Sequence, residues 1–279
     1  MNRAKPADLH VHTTASDGGL KPIEVARLAR SADLEIIAIT DHDSVSAFDS
    51  FSAAWPVEVI PGVELSACLG EREVHVLGYF LDPDDVRLRE GLETLQKKRR
   101  ARAFQIIRKL AAEDVDIRPE EVFEATGGCS VSRLHVAEAL IENGHSSNLY
   151  EAFRDFLGPD GSAFVAKPRL EVAEAIGIIH AAGGAAVLAH PRGNFSMDEL
   201  AAFVDEGLDG IEAHYPTHSA AEVTRCLEAA KRFRLVATGG SDFHGRRYAD
   251  TPIGTTRVDR ETVEQLYERA GPNGLRRIS

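Results

Sequence analysis

Two histidines separated by a single residue stand near the start of the chain, and their spacing suits a metal ion. His10 and His12 lie in and just after the apolar run 7–11, which predicts a short β-strand. Side chains two residues apart in a strand face the same side, so both imidazoles can reach one ion. Asp17 follows in the next loop, where its carboxylate could hold a second ion.

The same residue types stand at the ends of later apolar runs. In α/β barrels the carboxyl ends of the parallel strands build the active site. A single histidine is more often a packed or surface residue, but the repeated position favours a metal site. The residues concerned are His12, Asp41, His42, Glu64, His190, His214, Asp242 and His244.

The ligand types limit the metals and the chemistry. Histidine and carboxylate groups without a paired cysteine suit manganese, zinc or iron. The candidate ligands are too numerous for one ion, so we expect two or three divalent ions. We expect Mn²⁺, with Zn²⁺ or Fe²⁺ as alternatives. Sites with two ions clamp the oxygens of an in-line displacement and lower the pKa of bound water towards about 7. Hydrolysis of a phosphate ester is therefore the expected reaction.

The elements that must position these residues alternate along the chain. Apolar runs at 7–11, 35–40, 57–60, 73–81, 185–189, 210–213 and 235–238 predict strands, with helical patterns between most of them. Strands that alternate with helices indicate an α/β sheet or barrel. Helical patterns alone fill the middle of the chain, so we expect a barrel of residues 1–82 and 164–279 carrying a helical insertion of residues 83–163. A basic cluster in that insertion, 97–102, is interpreted as a solvated helix face.

Composition excludes several classes of function. The 279 residues are 43% hydrophobic and carry a formal net charge of −12, which disfavours binding of long duplex nucleic acid through its phosphates. Three scattered cysteines imply no disulfide framework and fit a reducing cytoplasm. No signal peptide precedes Asp8, and no apolar run is long enough to span a bilayer. We therefore expect a cytoplasmic enzyme with no membrane contact and no obligate protein partner.

The combined motifs resemble those of the PHP (polymerase and histidinol phosphatase) superfamily. The matching stretches are His10-x-His12 with Asp17, Thr40-Asp41-His42-Asp43, Gly62-Val63-Glu64, His75, Ala189-His190-Pro191 and Gly240-Ser241-Asp242-x-His244. Among its members the chain is most similar to stand-alone phosphoesterases that hydrolyse 3′,5′-nucleoside bisphosphates, some of which also trim short RNA from the 5′ end. The resemblance implies a distorted (β/α)7 barrel with a trinuclear metal site.

The resemblance also assigns the metal ligands. It implies a first ion held by His10, His12, Glu64 and Asp242. A second ion would be held by Glu64, His75 and His190, with Glu64 bridging. A third would be held by Asp17, His42 and His244.

A second set of residues is expected to contact the substrate. Ser132-Arg133-Leu134-His135 resembles the segment that points an arginine and a histidine at the substrate phosphate in these relatives. Lys167, His214 and His218 resemble further positions that face the substrate. Arg133, His135 and His214 are the expected catalytic residues, with either histidine as the proton donor to the leaving ribose oxygen.

Several other functions remain open at the level of sequence. Histidinol phosphate phosphatases share the barrel and metals, and a short-RNA exonuclease could use the same site on longer substrates. From a different class, the chain could be an accessory metal-binding module without activity. The motif containing Arg133 and His135 favours a small phosphorylated nucleotide or short RNA as the substrate.

Overall fold

A single seven-stranded sheet forms the centre of the molecule, with its strands in chain order from β1 to β7. The computed structural model describes residues 6–49, 55–70, 72–124, 126, 130–166, 170–245, 251–272 and 274–275. The strands are β1 (Ala7–Val11), β2 (Ile36–Ile39), β3 (Glu58–Leu69), β4 (Arg72–Tyr79), β5 (Ala185–Leu188), β6 (Gly210–His214) and β7 (Val236–Gly239). Strands β1, β2 and β5 are buried along their whole length, as apolar runs covered on both faces must be.

Helices cover the sheet and fill the middle of the chain. They are α1 (Pro22–Ser31), α2 (Val86–Ala111), α3 (Pro119–Glu124), α4 (Arg133–Glu142), α5 (Leu149–Ala152), α6 (Val172–Ala181), α7 (Met197–Asp205), α8 (Ala220–Phe233) and α9 (Arg260–Tyr267). A π-helical turn, Phe153–Leu157, continues α5. The segment after β2 forms a short 3₁₀ turn, Ser46–Phe48, and residues 50–54 lie outside the described part. None of the described helices is long and apolar enough to cross a bilayer.

The sheet of this distorted barrel is mixed. Strand β4 runs antiparallel to both β3 and β5, whereas the other neighbouring pairs are parallel. Strand β3 extends to Leu69 instead of ending at residue 60, because it forms a hairpin with β4 across a turn at Gly70, whose φ is +61°. Ser66 pairs directly with His75. The start of β4 therefore lies at the same end of the sheet as the carboxyl ends of the parallel strands.

The sheet nearly closes into a barrel where β1 meets the segment that follows β7. The backbone N–H of His12 donates to the carbonyl of Phe243 at 2.8 Å. The buried carboxylate of Asp8 accepts from the backbone N–H groups of Ser241 and Gly254 at 2.9 and 2.8 Å. These bonds hold the two ends of the sheet together, and the expected α/β barrel is confirmed.

The middle helices form a hydrophobic cluster of their own. Apolar residues between Ala103 and Ala163 make up this cluster, whereas Leu88, Leu92 and Leu95 pack into the barrel core. Helix α2 therefore contributes its first half to the barrel and its second half to the insertion. The boundaries expected for the two parts stay a prediction.

The basic cluster at 97–102 is only partly solvated, which corrects its interpretation as an exposed helix face. Lys97, Lys98 and Arg100 are exposed, but Arg99 and Arg102 are each only 8% exposed. A run of basic residues in the sequence does not show which of them are buried against distant segments of the chain.

Closure of the barrel gives a prediction for Gly240. A Cβ at this position would lie 2.3 Å from the Cβ of His10, so Gly240→Ala should destabilise the protein by about 1–3 kcal/mol through overpacking. The control is Gly177→Ala in α6, where a Cβ meets no described atom within 4 Å, and where alanine should stabilise by about 0.5–1 kcal/mol. Urea unfolding of both variants measures the difference, and equal stabilities would contradict the close approach.

Candidate metal centre

Side chains able to bind metal converge in three overlapping groups at one end of the sheet. Within each group the ligand atoms lie within 4.8 Å of one another. The first group is His10, His12, Glu64 and Asp242; the second is His42, Glu64 and His75; the third is His12, Asp17, His42 and His244. Residues from β1, β3, β4 and the loops after β1, β2 and β7 thus meet in one cluster.

Glu64 lies at the centre of this cluster and is fully buried. Its two carboxylate oxygens lie between 2.6 and 3.2 Å from ring nitrogens of His10, His12, His42, His75 and His190. Burial by itself raises the pKa of a carboxyl group. The neighbouring histidines outweigh this effect and hold the pKa of Glu64 well below its usual value. The carboxylate is therefore ionised and can be shared between two cations.

Two aspartates complete the cluster on either side. Oδ1 of Asp242 lies 3.3 Å from Nε2 of His10 and 3.1 Å from Nε2 of His12. Oδ1 of Asp17 lies 3.3 Å from Nε2 of His244, and its Oδ2 lies 3.9 Å from Nε2 of His42. Both aspartates are strongly desolvated, yet the nearby histidines hold their pKa values well below the usual range.

His12 shows that these residues fit a divalent cation. The residue is fully buried, and neither ring nitrogen has a hydrogen-bond partner among the described residues, although a buried polar atom normally needs one. Nε2 instead lies 3.1–3.2 Å from carboxylate oxygens of Asp242 and Glu64. Ligand atoms placed about 2.0–2.2 Å from one ion have mutual spacings of roughly this size. Nitrogen and oxygen donors without sulfur suit manganese, zinc or iron.

His190 joins the cluster beside His75. Its Nε2 lies 3.1 Å from Oε1 of Glu64, the oxygen that also lies 2.6 Å from Nδ1 of His75. The backbone of His190 has a φ of +23°, and its N–H donates to Glu212 at 2.8 Å. The structure therefore brings together all nine residues expected to bind metal, His190 among them, although it lies outside the three groups.

Two carboxylates after β2 hold the surrounding loops. The backbone N–H and hydroxyl of Thr13 and the hydroxyl of Ser16 donate to Asp41 at 2.6–2.7 Å. Asp43 accepts from the backbone N–H of Ser66 at 2.9 Å and pairs with the guanidinium of Arg99. The first set fixes the loop that carries Asp17, and the second fixes the backbone next to His42.

Two supporting residues escaped the sequence analysis. Glu212 in β6 is fully buried, and its Oε1 lies 3.1 Å from Nδ1 of His10, which leaves Nε2 of that ring to face the cluster. The hydroxyl of Tyr215 donates to Oδ2 of Asp242 at 2.8 Å. Such partners orient metal ligands. An acidic residue inside an otherwise apolar strand was the available signal for Glu212, whereas nothing local marks Tyr215.

Of the residues expected to contact the substrate, Arg133 is connected to the cluster, whereas His135 is buried at the start of α4. Arg133 begins α4, and its Nη2 lies 3.4 Å from Oε2 of Glu73. Oε1 of Glu73 lies 2.9 Å from Nε2 of His75. Arg133 is thus connected to the cluster through one carboxylate. His135 is only 1% exposed, and its Nδ1 accepts the backbone N–H of Ser132 at the start of α4.

The remaining three expected residues lie around β6 or outside the described part. His214 ends β6 and is half-buried. Both ring nitrogens of His218 contact backbone groups, the carbonyl of Ala213 at 3.0 Å and the N–H of Arg192 at 3.2 Å, so this ring orders the loop in the structure. Lys167 lies outside the described residues.

A cleft of about 890 Å³ lies between the β3–β4 hairpin and the middle helices. Arg102, Arg133 and Arg154 line it together with aromatic and apolar side chains, Leu149, Tyr150, Phe153, Pro159 and Phe164. Glu73 also lines this cleft and a smaller one of about 270 Å³ that contains His75 and His190. The large cleft therefore adjoins the metal-binding cluster.

Comparisons with known proteins agree with this geometry. The family model described as PHP domain matches residues 8–77. A 5′-3′ exoribonuclease of Haemophilus influenzae is 33% identical over 86% of this chain and 90% of its own length. A 3′,5′-nucleoside bisphosphate phosphatase of Chromobacterium violaceum is 32% identical over 89% of this chain and 90% of its own length.

A solved structure supports the same assignment. A protein of Bifidobacterium adolescentis, assigned as a metal-dependent phosphoesterase, superposes with a TM-score of 0.87 at 28% identity and covers 95% of this chain and 96% of its own. The family resemblance drawn from the motifs is confirmed, and so is the expected class of enzyme, a phosphoric ester hydrolase. The chain belongs to the PHP domain family of metal-dependent phosphoesterases.

Proposed function

We propose that the protein hydrolyses the 3′-phosphate of 3′,5′-nucleoside bisphosphates and also trims short RNA with a 5′-phosphate. The observation that carries this proposal is the arginine- and aromatic-lined cleft that opens beside the histidine and carboxylate cluster. Aromatic side chains offer surfaces on which nucleobases stack, and Tyr150, Phe153 and Phe164 supply them here. Two relatives are named for activity on a nucleoside bisphosphate and on RNA.

The proposal includes three divalent ions, with Mn²⁺ as the first choice. We assign His10, His12, Glu64 and Asp242 to the first ion; Glu64, His75 and His190 to the second; and Asp17, His42 and His244 to the third. When bound, such ions polarise phosphoryl oxygens and make hydroxide available at neutral pH. The contacts of Glu64 with five histidine rings support its role as the bridging ligand.

The protein side chains have separate tasks in this proposal. Arg133 binds a phosphate of the substrate, because its planar guanidinium can donate to two oxygens at once. Glu212 and Tyr215 hold His10 and Asp242 in place through their hydrogen bonds. His214 gives a proton to the leaving ribose oxygen. We prefer it to His135 because it is half-buried at the end of β6, whereas the ring of His135 is buried at the start of α4.

The division of the chain follows from the same arrangement. We propose that residues 1–82 and 164–279 form the metal-binding barrel and that residues 83–163 form an insertion that covers the substrate. The separate hydrophobic cluster between Ala103 and Ala163 supports this division, and the first half of α2 connects the insertion to the barrel core. The cleft between those helices and the β3–β4 hairpin is where the substrate would lie.

The substrate assignment is tested by phosphate release in the presence of Mn²⁺. We expect turnover of adenosine 3′,5′-bisphosphate, slower turnover of a 5′-phosphorylated RNA trimer and little of histidinol phosphate. Glu64→Gln should lower the rate at least about a hundredfold, because even partners of metal ligands contribute about 10–100-fold; this control excludes a contaminating phosphatase. A preference for histidinol phosphate would overturn the nucleotide assignment, and no turnover of any substrate would favour an accessory module.

The third ion is tested through Asp17 and His42. Asp17→Ala or His42→Ala should remove about one ion per chain and lower activity at least about tenfold, since each residue is a proposed ligand of that ion. His145→Ala, which changes a histidine outside the cluster, is the control and should retain both. Elemental analysis beside the phosphatase assay gives the result. Full activity together with a lost ion would contradict the trinuclear arrangement.

The protonation of the cluster predicts how metal binding depends on pH. Burial opposes the charged form of His12, but Asp242 and Glu64 outweigh burial and raise its pKa from 6.5 to about 10. Protonated His12 therefore stabilises the metal-free fold. This contribution is fully present below pH 6.5 and is lost as the pH rises through about 10. The pKa values of Asp17, Glu64 and Asp242 are lowered in the fold. Their ionised carboxylates therefore stabilise the fold at pH values above the usual carboxyl pKa, and this contribution is lost on acidification.

Metal must displace the protons of the histidines, so the gain in Tm on adding Mn²⁺ should increase between pH 6 and pH 8. Thermal unfolding of EDTA-treated protein, with and without Mn²⁺, measures this gain. A gain that is constant over that range would show that the histidines are already neutral without metal.

A further inference from the structure

The ring of His42 lacks the support that orients two other histidines of the cluster. Nδ1 of His10 contacts the carboxylate of Glu212 at 3.1 Å. Nε2 of His75 contacts the carboxylate of Glu73 at 2.9 Å, and partners of this kind fix the orientation of a metal-binding imidazole. In the described part of the chain, Nδ1 of His42 has no hydrogen-bond partner. The direction of this ring therefore depends on the backbone that carries it.

That backbone has an uncommon conformation at the next residue. Asp43 has a φ of +47°, which lies in the left-handed region that residues with a side chain seldom adopt. Its N–H donates to the carbonyl of Glu64 at 3.0 Å, and its carboxylate accepts from the backbone N–H of Ser66 at 2.9 Å. Such a conformation persists only where the surrounding structure holds it. The position of His42 is therefore set by the partners of Asp43.

Helix α2 supplies two further partners of Asp43 from a distant part of the chain. Nε2 of Gln96 donates to the carbonyl of Asp43 at 2.8 Å, and the guanidinium of Arg99 pairs with its carboxylate. Arg99 is only 8% exposed and Asp43 only 1% exposed. Removing one partner of a buried ion pair leaves an uncompensated charge, so Arg99 is required for Asp43 to stay buried beside His42.

The same guanidinium also binds two other segments. Its Nη2 donates to the hydroxyl of Ser66 at 2.6 Å, and its Nη1 donates to the carbonyl of Val131 at 3.3 Å. Ser66 follows Glu64 by two residues in β3. Arg99 therefore uses all three of its nitrogens to hold the loop after β2 against β3, and only a planar guanidinium offers donors in this arrangement.

Arg102, one turn later on α2, shows that burial of an arginine on this helix does not by itself create such a contact. It is also 8% exposed, and its Nε donates to the carbonyl of Val165 at 2.8 Å. Among the described hydrogen bonds of Arg102, none reaches the loop after β2. The two arginines therefore form a matched pair for experiments.

We propose that Arg99 is a positioning residue for His42, and that it acts through Asp43 to determine how tightly the ion assigned to Asp17, His42 and His244 is bound. This inference rests on the proposed function, since it assumes that His42 binds an ion. Arg99 itself contacts neither the ion nor the substrate. Its role makes helix α2 part of the structure that holds the metal centre.

The test measures calorimetric binding of Mn²⁺ to EDTA-treated protein and needs no turnover. Arg99→Met should weaken binding of the ion that is lost in His42→Ala by about 10–100-fold, the range found for partners of metal ligands, and change the other ions little. Arg99→Lys keeps a charge opposite Asp43 and should recover part of the loss. Arg102→Met is the control and should bind Mn²⁺ as the wild type does. Equal weakening of every ion in Arg99→Met would overturn the proposal.

A double-mutant cycle shows whether Arg99 acts through His42. Adding Arg99→Met to His42→Ala should weaken Mn²⁺ binding no further, because the ring that Arg99 positions is already absent. Independent substitutions have additive effects, whereas coupled ones do not. Additive losses of Mn²⁺ affinity in the cycle would therefore overturn the proposal.

A second variant separates positioning from stability. Arg99→Met alone leaves the buried carboxylate of Asp43 without a counter-charge and should lower the Tm. Combining it with Asp43→Asn removes both charges and should restore most of the Tm, since asparagine also tolerates a positive φ. Mn²⁺ binding should stay weak in this double variant. Recovery of Mn²⁺ affinity together with the Tm would show a purely structural role and overturn the proposal.

The outcomes distinguish this inference from the proposed function. If His42→Ala removes no ion, the assigned third ion is wrong and the role of Arg99 is overturned with it. If His42→Ala removes an ion that Arg99→Met still binds tightly, only the role of Arg99 is overturned. Because Mn²⁺ binding is measured without substrate, a wild type that hydrolyses no nucleotide but shows the expected cycle would support the role of Arg99 and overturn the proposed activity.

Discussion

The placement of one buried carboxylate among five imidazole rings is the interaction on which the site depends. Glu64 is inaccessible to water and contacts rings from β1, β4 and the loops after β1, β2 and β5. An isolated buried carboxylate would be protonated, so cations or charged imidazoles around it are required. Strand β3 must run past residue 60, and β4 must turn back on it, for this environment to form.

Closure of the sheet is the second requirement, because the ligands come from both ends of the chain. Asp242 and His244 meet His10 and His12 only where the segment after β7 approaches β1. Asp8 holds this junction by accepting two backbone N–H groups from that region. Gly240 permits it, since a side chain there would overlap His10. The same residues that close the barrel therefore bring together the residues that could bind metal.

The long helix α2 joins the barrel to the arginine-lined cleft, and its basic residues contact different parts of the structure. Arg99 bonds to Asp43, beside His42, and to Val131, two residues before Arg133. Arg102 reaches the cleft wall instead. A run of basic residues is typical of a solvated surface, and three of the five fit that pattern. The other two are buried because their partners lie on segments far away in the chain.

Local sequence determined the parts of this protein that depend on short-range periodicity and residue chemistry. The spacing of His10 and His12, the apolar strands and the acidic and imidazole groups at their ends predicted a barrel with a cluster of metal-binding residues, and the nine expected ligands do converge. Only the tertiary structure decided that β4 runs antiparallel and that Arg99 and Arg102 are buried. It also decided that Glu212 and Tyr215 hydrogen-bond to His10 and Asp242, and that both ring nitrogens of His218 contact backbone groups. Each of these depends on contacts between segments distant in the chain, and the energy of such contacts is not encoded in local periodicity.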